Sequence, residues 1–252
     1  MSVQLESISK SYDGKLFAVE NITFSIPGDA VYCLLGSNGS GKSTLLNIIA
    51  NIIEPTTGQL TINDHSYATA PLLIKQKMGV QSQFNQVIGE LNAFDFLSWI
   101  GLLYNMPQPE LLTQRRNLLA YFFEEEEDLR KPAKTYSSGM QKKLAICAAV
   151  LHKPDLLILD EPFANLDPVA CHKLCDFISA YRASQRIILI SSHDLLYVSK
   201  VATHIGILHK KALVFNDTAS HFTDNVEGSI DAALLKYLNP PSRDLSLIES
   251  IV

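Results

Sequence analysis

The sequence predicts an α/β fold: a mostly parallel sheet with flanking helices, an antiparallel β portion at the N-terminus and an inserted helical subdomain. Three observations carry this. A short apolar run, Val31-Tyr32-Cys33-Leu34-Leu35, leads into a glycine-rich loop and then into a helical stretch, Thr44 to Ala50. From 156 to 208, short apolar runs alternate with helical patterns, the rhythm of a doubly wound parallel sheet. Between these parts, from about 84 to 154, the chain reads mostly as helix.

At the N-terminus, Val3, Leu5 and Ile8 alternate loosely with polar residues, Ser11-Tyr12-Asp13-Gly14-Lys15 makes a turn, and Ile22, Phe24 and Ile26 alternate again. That is an antiparallel pair. Pro27-Gly28-Asp29 closes it and opens the buried strand that ends at Gly36. Beyond the loop helix, Glu54-Pro55-Thr56-Thr57-Gly58 breaks the chain, and short strands follow at 59–63 and around Met78-Gly79-Val80. The helical part offers candidates at 93–104, 109–123 and 139–151. Its acidic run, Glu124-Glu125-Glu126-Glu127-Asp128, reads as a solvated helix end or loop rather than a cation site. Trp99, with Phe94, Phe96, Leu97, Ile100 and Leu103, has the spacing of either a core face or a partly exposed docking face. In the second half strands are expected at 156–160, 186–191 and 204–208, helices at 169–181 and 195–200, and an edge strand at 211–215. Residues 217–228 read as a weakly patterned connection, and 230–238 as a last helix stopped by Asn239-Pro240-Pro241. The domain reading is 1–225 as one unit, with the helical subdomain inserted at about 84–154, and 226–252 as a short C-terminal helical extension.

With 252 residues, 47% hydrophobic and 19% charged, the chain has enough apolar material for a substantial core. A net charge of −5 and the lack of a basic stretch argue against a nucleic-acid partner. The four cysteines, Cys33, Cys147, Cys171 and Cys175, have no C-x-x-C pair and read as reduced thiols. Even with His172 nearby, Cys171 and Cys175 make a poor metal set. No apolar stretch reaches the roughly 20 residues that span a bilayer, and no basic-then-apolar leader opens the chain, so the expectation is a soluble chain.

The chemistry is concentrated at strand ends. Gly36-Ser37-Asn38-Gly39-Ser40-Gly41-Lys42-Ser43 is a complete G-x4-G-K-S pattern in its strand–loop–helix setting. Three glycines let successive N–H groups point inward toward an anion, and the helix N-terminus adds its dipole. Lys42 suits the β- and γ-phosphates, and Ser43 suits Mg²⁺. An isolated Gly/Ser turn carries no such meaning; this one reads as the loop of a P-loop NTPase. Leu156-Leu157-Ile158-Leu159 then delivers two carboxylates, Asp160 and Glu161, to the carboxyl end of a buried strand, where parallel sheets bind ligands. Asp160 suits the Mg²⁺ shell and Glu161 a water in line with the γ-phosphorus. His193 leaves another buried strand and is placed to meet the γ-phosphate.

Over roughly residues 1 to 216 the chain resembles the nucleotide-binding subunit of an ABC (ATP-binding cassette) transporter. In order it carries the Walker A loop Gly36–Ser43 with Thr44 beyond it, a Q-loop, the signature Tyr136-Ser137-Ser138-Gly139-Met140, Walker B Leu156–Asp160, Glu161, the D-loop Asn165-Leu166-Asp167 and the switch histidine His193. Family spacing favours Gln83 as the Q-loop glutamine, a sensor of Mg²⁺, although Gln81 is close by. Tyr12 occupies the place of the adenine-stacking aromatic, a contact of about 1–3 kcal/mol by analogy with other base stacking. Tyr136 and Met140 look like variants found in compact exporter subunits. Ser138 replaces a glycine that normally lets backbone approach the γ-phosphate.

The resemblance implies Mg-dependent ATP hydrolysis, with ATP and Mg²⁺ as cofactors. Lys42, Glu161 and His193 are implied in catalysis. Tyr12, 36–44, Gln83, Ser137, Ser138, Gly139 and Asp167 would hold nucleotide, the signature meeting ATP bound to the opposite subunit; Ser43, Gln83 and Asp160 would hold the metal. It implies two partners, a second ATP-binding subunit arranged head to tail and a separate integral-membrane permease, and a place at the cytoplasmic face of the membrane. Export is the favoured direction and import the nearest alternative. A soluble ATPase of the same family acting on nucleic acid or ribosomes is the alternative from another class; the lack of a long coiled coil, a second cassette and a basic stretch argues against it.

Overall fold

The computed structural model describes residues 1–84, 86–182, 185–224 and 230–238. Two sheets organise it. Strands β1 (Val3–Ser11) and β2 (Phe17–Ile26) pair antiparallel, and β4 (Thr57–Ile62) joins on the other side of β1 in the order β2-β1-β4. The larger sheet runs β5-β6-β7-β3-β8-β9, from β3 (Val31–Leu35), β5 (Met78–Gln81), β6 (Leu156–Asp160), β7 (Ile187–Ser191), β8 (His204–His209) and β9 (Ala212–Thr218). Its pairings are parallel except β8 with β9.

Strands β3, β6 and β7 are buried along their whole length, which is why they read as unbroken apolar runs rather than alternations. Their two faces serve two cores. Tyr32, Leu34, Leu156, Ile158 and Leu189 pack toward the antiparallel sheet and α1 (Lys42–Ile49). Cys33, Leu35, Leu157, Leu159 and Ile190 pack toward the helices of the opposite layer. Each such aliphatic side chain stabilises the fold by roughly 1.5–3 kcal/mol. Register then does the positioning: Asp160 lies beside Ser191, and Ser191 beside Leu34, so the phosphate-loop strand, the carboxylate strand and the strand before His193 end side by side.

The helical subdomain holds α3 (Ala93–Leu103), α4 (Gln108–Phe122) and α5 (Ser138–Val150), close to the sequence expectation. Asn92 caps α3 by accepting the Asp95 N–H at 2.9 Å. On α3, Phe96 and Leu97 are buried, whereas Trp99 is 43% and Leu103 59% exposed, so the helix is core on one side and free surface on the other. The core reading of that stretch holds for the buried side, and the other side is exposed. The acidic run is an exposed loop after α4, in which Glu126 pairs with Arg130 at 2.8 Å.

Two short helices escaped the sequence pattern. Helix α2 (Pro71–Gln76) starts on a proline and buries only Ile74, too few residues to show a period. Helix α8 (Ala219–Asp224) occupies part of the stretch read as a weakly patterned connection, and β9 extends to Thr218. Tertiary contact explains α8: Phe222 is 2% exposed and packs on Phe215 and Tyr237, with ring centres 5.1 and 5.9 Å away. Tyr237 belongs to α9 (Ile230–Leu238), which enters the same core through buried Ala233. The expected stop at Asn239-Pro240-Pro241 lies outside the described residues. Helices α6 (Pro168–Arg182) and α7 (Leu195–Val201) complete the layer. All four cysteines are buried thiols, and burial raises the pKa of each.

Candidate active site

The loop after β3 turns through left-handed backbone at Gly36, Gly39 and Gly41, with φ of 152°, 77° and 107°. Gly36 is the most constrained, since a Cβ there would stand 2.4 Å from the Leu208 carbonyl oxygen and 2.6 Å from Ser40 Oγ. The first helical bond of α1 runs from the Leu45 N–H to the Gly41 carbonyl at 2.9 Å, so the N–H groups of Lys42, Ser43 and Thr44 precede the helical ladder. These residues line a cavity of about 250 Å³, shared with Asn38, Gly39, Gln83 and Glu161. Lys42 arches back over the loop, its Nζ donating to the carbonyls of Gly36 at 2.8 Å and Ser37 at 3.3 Å. Burial pulls its pKa down, and the carboxylates of Glu161 and Asp160 oppose that shift. Ser40 Oγ is buried with no partner among the described residues. A cradle of backbone donors and one ammonium fits a polyphosphate.

At the end of β6, Asp160 is 4% exposed and accepts the hydroxyl proton of Ser191, while Glu161 stands at the cavity wall. Glu161 has φ 48°, a left-handed turn that lets the chain leave the strand and present its carboxylate. His193 Nδ1 lies 2.9 Å from Glu161 Oε2, so the histidine and the carboxylate form one pair. Of the two glutamines, Gln83 lines the cavity. Gln81 is buried at the end of β5, its Nε2 donating to the main-chain carbonyls of Ser82 and, at 3.3 Å, Asp160. Tyr12 is 66% exposed, and its hydroxyl lies 3.4 Å from Thr44 Oγ1, which sets the open ring at the edge of the loop.

The structure thus gathers Tyr12, the loop, Gln83, Asp160, Glu161 and His193. Ser137, Ser138, Gly139 and Asp167 do not line the cavity among the described residues. Ser137 caps α5 by accepting the Met140 N–H at 3.2 Å, and Asp167 Oδ1 accepts the Ala170 N–H at 2.9 Å at the start of α6. The latter bond holds the Asp167 carboxyl below the usual range. Two residues that sequence reasoning passed over belong to the site's support. Ser191, fully buried, also accepts the Glu161 N–H at 3.0 Å; a serine closing an otherwise apolar strand was the available signal. Lys142 is 2% exposed on the apolar stripe of α5 shared with Ile146 and Ala149, an odd place for a lysine.

A second and larger cavity, about 330 Å³, opens between α3, α5 and β5, lined in part by Gln81, Phe96, Ile100, Tyr104 and Ala145. Among the described residues its lining holds no carboxylate, whereas Glu161 and Lys42 line the smaller cavity.

Residues 19–164, more than half of the chain, match the family model described as ABC transporter. The chain belongs to the ABC transporter family. As an ABC ATPase it binds and hydrolyses ATP. It is similar to the linearmycin resistance ATP-binding protein LnrL of Bacillus subtilis (strain 168), 28% identical over 226 residues, 90% of this chain and 72% of LnrL. It is also similar to the Nod factor export ATP-binding protein I of Rhizobium leguminosarum bv. viciae, 30% identical over 208 residues, 82% of this chain and 66% of the relative. Among solved structures, an ATP-binding subunit of an ABC transporter superposes with a TM-score of 0.87 at 26% identity, covering 94% of this ABC ATPase and 99% of that chain.

Proposed function

We propose that this chain is the ATP-hydrolysing subunit that powers a separate membrane-spanning subunit in export. The observation that carries the reading is the convergence of Lys42, Ser43, Gln83 and Glu161 on one cavity at the start of α1. Lys42 and the loop N–H groups would bind and orient the β- and γ-phosphates, and Tyr12 would stack on the base. Glu161, its orientation supported by the His193 pair, would take the proton of the attacking water. Ser43, Gln83 and Asp160 are oxygen ligands of the kind Mg²⁺ prefers. One carboxylate would be enough for Mg²⁺ where substrate phosphates and waters supply the remaining oxygens. Bound there, Mg²⁺ would offset the charge that develops on the phosphate oxygens.

Ser137, Ser138, Gly139 and Asp167 are assigned to the nucleotide of a second ATP-binding subunit, a copy of this chain or a paralogue, on the head-to-tail pairing that the family resemblance implies; they lie outside the chain's own cavity. The larger cavity and the exposed face of α3 are assigned to the membrane subunit, which sets this chain at the cytoplasmic face of the membrane. Among the described residues no helix is long and apolar enough to cross a membrane itself. Export is supported by relatives named for linearmycin resistance and for Nod factor export.

Glu161→Gln keeps size and polarity but removes the acceptor charge, so turnover should fall about 10²–10⁴-fold while ATP remains bound and a closed dimer accumulates. Lys42→Ala should instead weaken nucleotide binding and prevent closure. ATPase rate, nucleotide affinity and oligomeric mass compare the two; near-normal hydrolysis by Glu161→Gln refutes the assignment.

A further inference from the structure

Lys142 sits in the second turn of α5, 2% exposed, and its Nζ donates to the main-chain carbonyl of Glu161 at 3.2 Å. Burying an ammonium costs free energy unless acceptors and opposite charges compensate. Here the Glu161 carbonyl is its acceptor, and the Asp160 and Glu161 carboxylates counter the loss of water.

Glu161 gains from the same contact. Its left-handed backbone, φ 48°, is a conformation that side chains with a Cβ seldom adopt. On one side its N–H is held by Ser191, through O at 3.2 Å and Oγ at 3.0 Å. On the other its carbonyl accepts the Ala164 N–H at 3.3 Å and Lys142 Nζ. Both peptide groups flanking the carboxylate are therefore pinned, one from β7 and one from α5.

One turn earlier on the same helix face, Gly139 touches the far end of the same loop. A Cβ there would stand 2.8 Å from the Asn165 carbonyl oxygen, so α5 lies close against the 161–165 segment only because position 139 is bare. Helix α5 therefore grips this loop at both ends, through Gly139 at Asn165 and through Lys142 at Glu161.

We propose that Lys142 is a positioning residue that ties the direction of the Glu161 carboxylate to the position of the first turn of α5 (137–140). The inference rests on the functional reading above, in which that turn meets ATP held by a second subunit. A displacement of the turn on nucleotide contact passes along one rigid helix to the Glu161 carbonyl of the same chain. Engagement of one composite site is thereby read at the catalytic carboxylate of the other.

The test is steady-state ATP hydrolysis by the purified full chain carrying Lys142→Met, which keeps the length of the side chain and removes the ammonium. Turnover should fall about tenfold to a hundredfold, with KM and single-chain nucleotide affinity changed by no more than about twofold. Lys142→Arg, which restores a charged donor, should recover most of the lost kcat. Unchanged kcat in folded Lys142→Met, a loss of nucleotide affinity that matches the loss of kcat, or no recovery in Lys142→Arg overturns the inference. Should Lys142→Met not fold, Lys142→Gln takes its place under the same criteria. A wild-type chain without Glu161-dependent hydrolysis defeats the functional reading and this inference together. Normal wild-type hydrolysis with an indifferent Lys142 defeats this inference alone.

Discussion

Ser191 Oγ accepts the backbone N–H of Glu161 at 3.0 Å and donates its own proton to Asp160 Oδ1. One buried hydroxyl on β7 thus holds both acidic residues at the end of β6, Asp160 within it and Glu161 just beyond it. A hydrogen bond to a charged group contributes about 1.5–3 kcal/mol, and deleting its buried donor leaves the carboxylate short of a partner. Ser191→Ala should therefore lower turnover about tenfold to a hundredfold and leave ATP affinity within a few fold. Kinetics with parallel nucleotide titration check this; wild-type turnover in the variant would show that β6 orients its carboxylates unaided.

The exposed side of α3 offers a second expectation. Trp99 and Leu103 are apolar and open, on the helix that supplies Phe96 and Ile100 to the larger cavity. An aromatic anchor at an interface centre commonly carries about 2 kcal/mol or more. Trp99→Glu and Leu103→Glu should each weaken association with the membrane subunit at least about tenfold, with nucleotide affinity unchanged. Membrane pelleting from cells producing both subunits measures it, and undiminished association of folded variants would move the interface elsewhere.

A third expectation concerns acid stability. His152 stacks on Tyr104, ring centres 3.5 Å apart, and its Nε2 lies 3.1 Å from the Met78 carbonyl oxygen, as expected of a neutral ring protonated at Nε2. Its Nδ1 is buried without a partner, so a second proton there would have no acceptor. Burial accordingly lowers the pKa to about 4, and the bond to Met78 opposes the shift only in part. Because the folded value lies below that of the unfolded chain, the unfolded state binds more protons at intermediate pH. The contribution is present above about pH 6.5 and is lost as pH falls toward 4, up to about 3 kcal/mol before solvent screening. Denaturant unfolding of wild type and His152→Phe across this range should give a flatter profile for the variant; parallel profiles would remove His152 as the cause.

Much of the site was legible because its chemistry is written in short local patterns. A glycine loop between a buried strand and a helix, and acids or a histidine at strand ends, stand out through residue type and immediate neighbours, and the structure brings them close together. Gln83 over Gln81 was a matter of spacing, and the geometry favours the same residue, since Gln83 lines the cavity while Gln81 is committed to the Asp160 carbonyl. Lys142 and Ser191 were harder to find, because each acts through a neighbour distant in sequence. Helices α2 and α8 bury too few residues of their own to show a period, and α8 is held by Phe215 and Tyr237.

The sequence by itself determined the order of the strands and the longer helices, the change from sheet to helix and back, and the residues able to handle a phosphate. Those follow from backbone preference and side-chain patterning over a few residues. Only the tertiary structure decided that β4 leaves the loop helix to pair with β1, Leu5 opposite Leu60, and that β3 sits between β7 and β8. It alone decided that Asp160 lies level with Ser191. Strand partners and register are chosen by burial against the whole core, a sum over contacts far apart in the chain. The same sum places one lysine of α5 beneath the Glu161 backbone, where the charge is balanced only because the other elements have already closed around it.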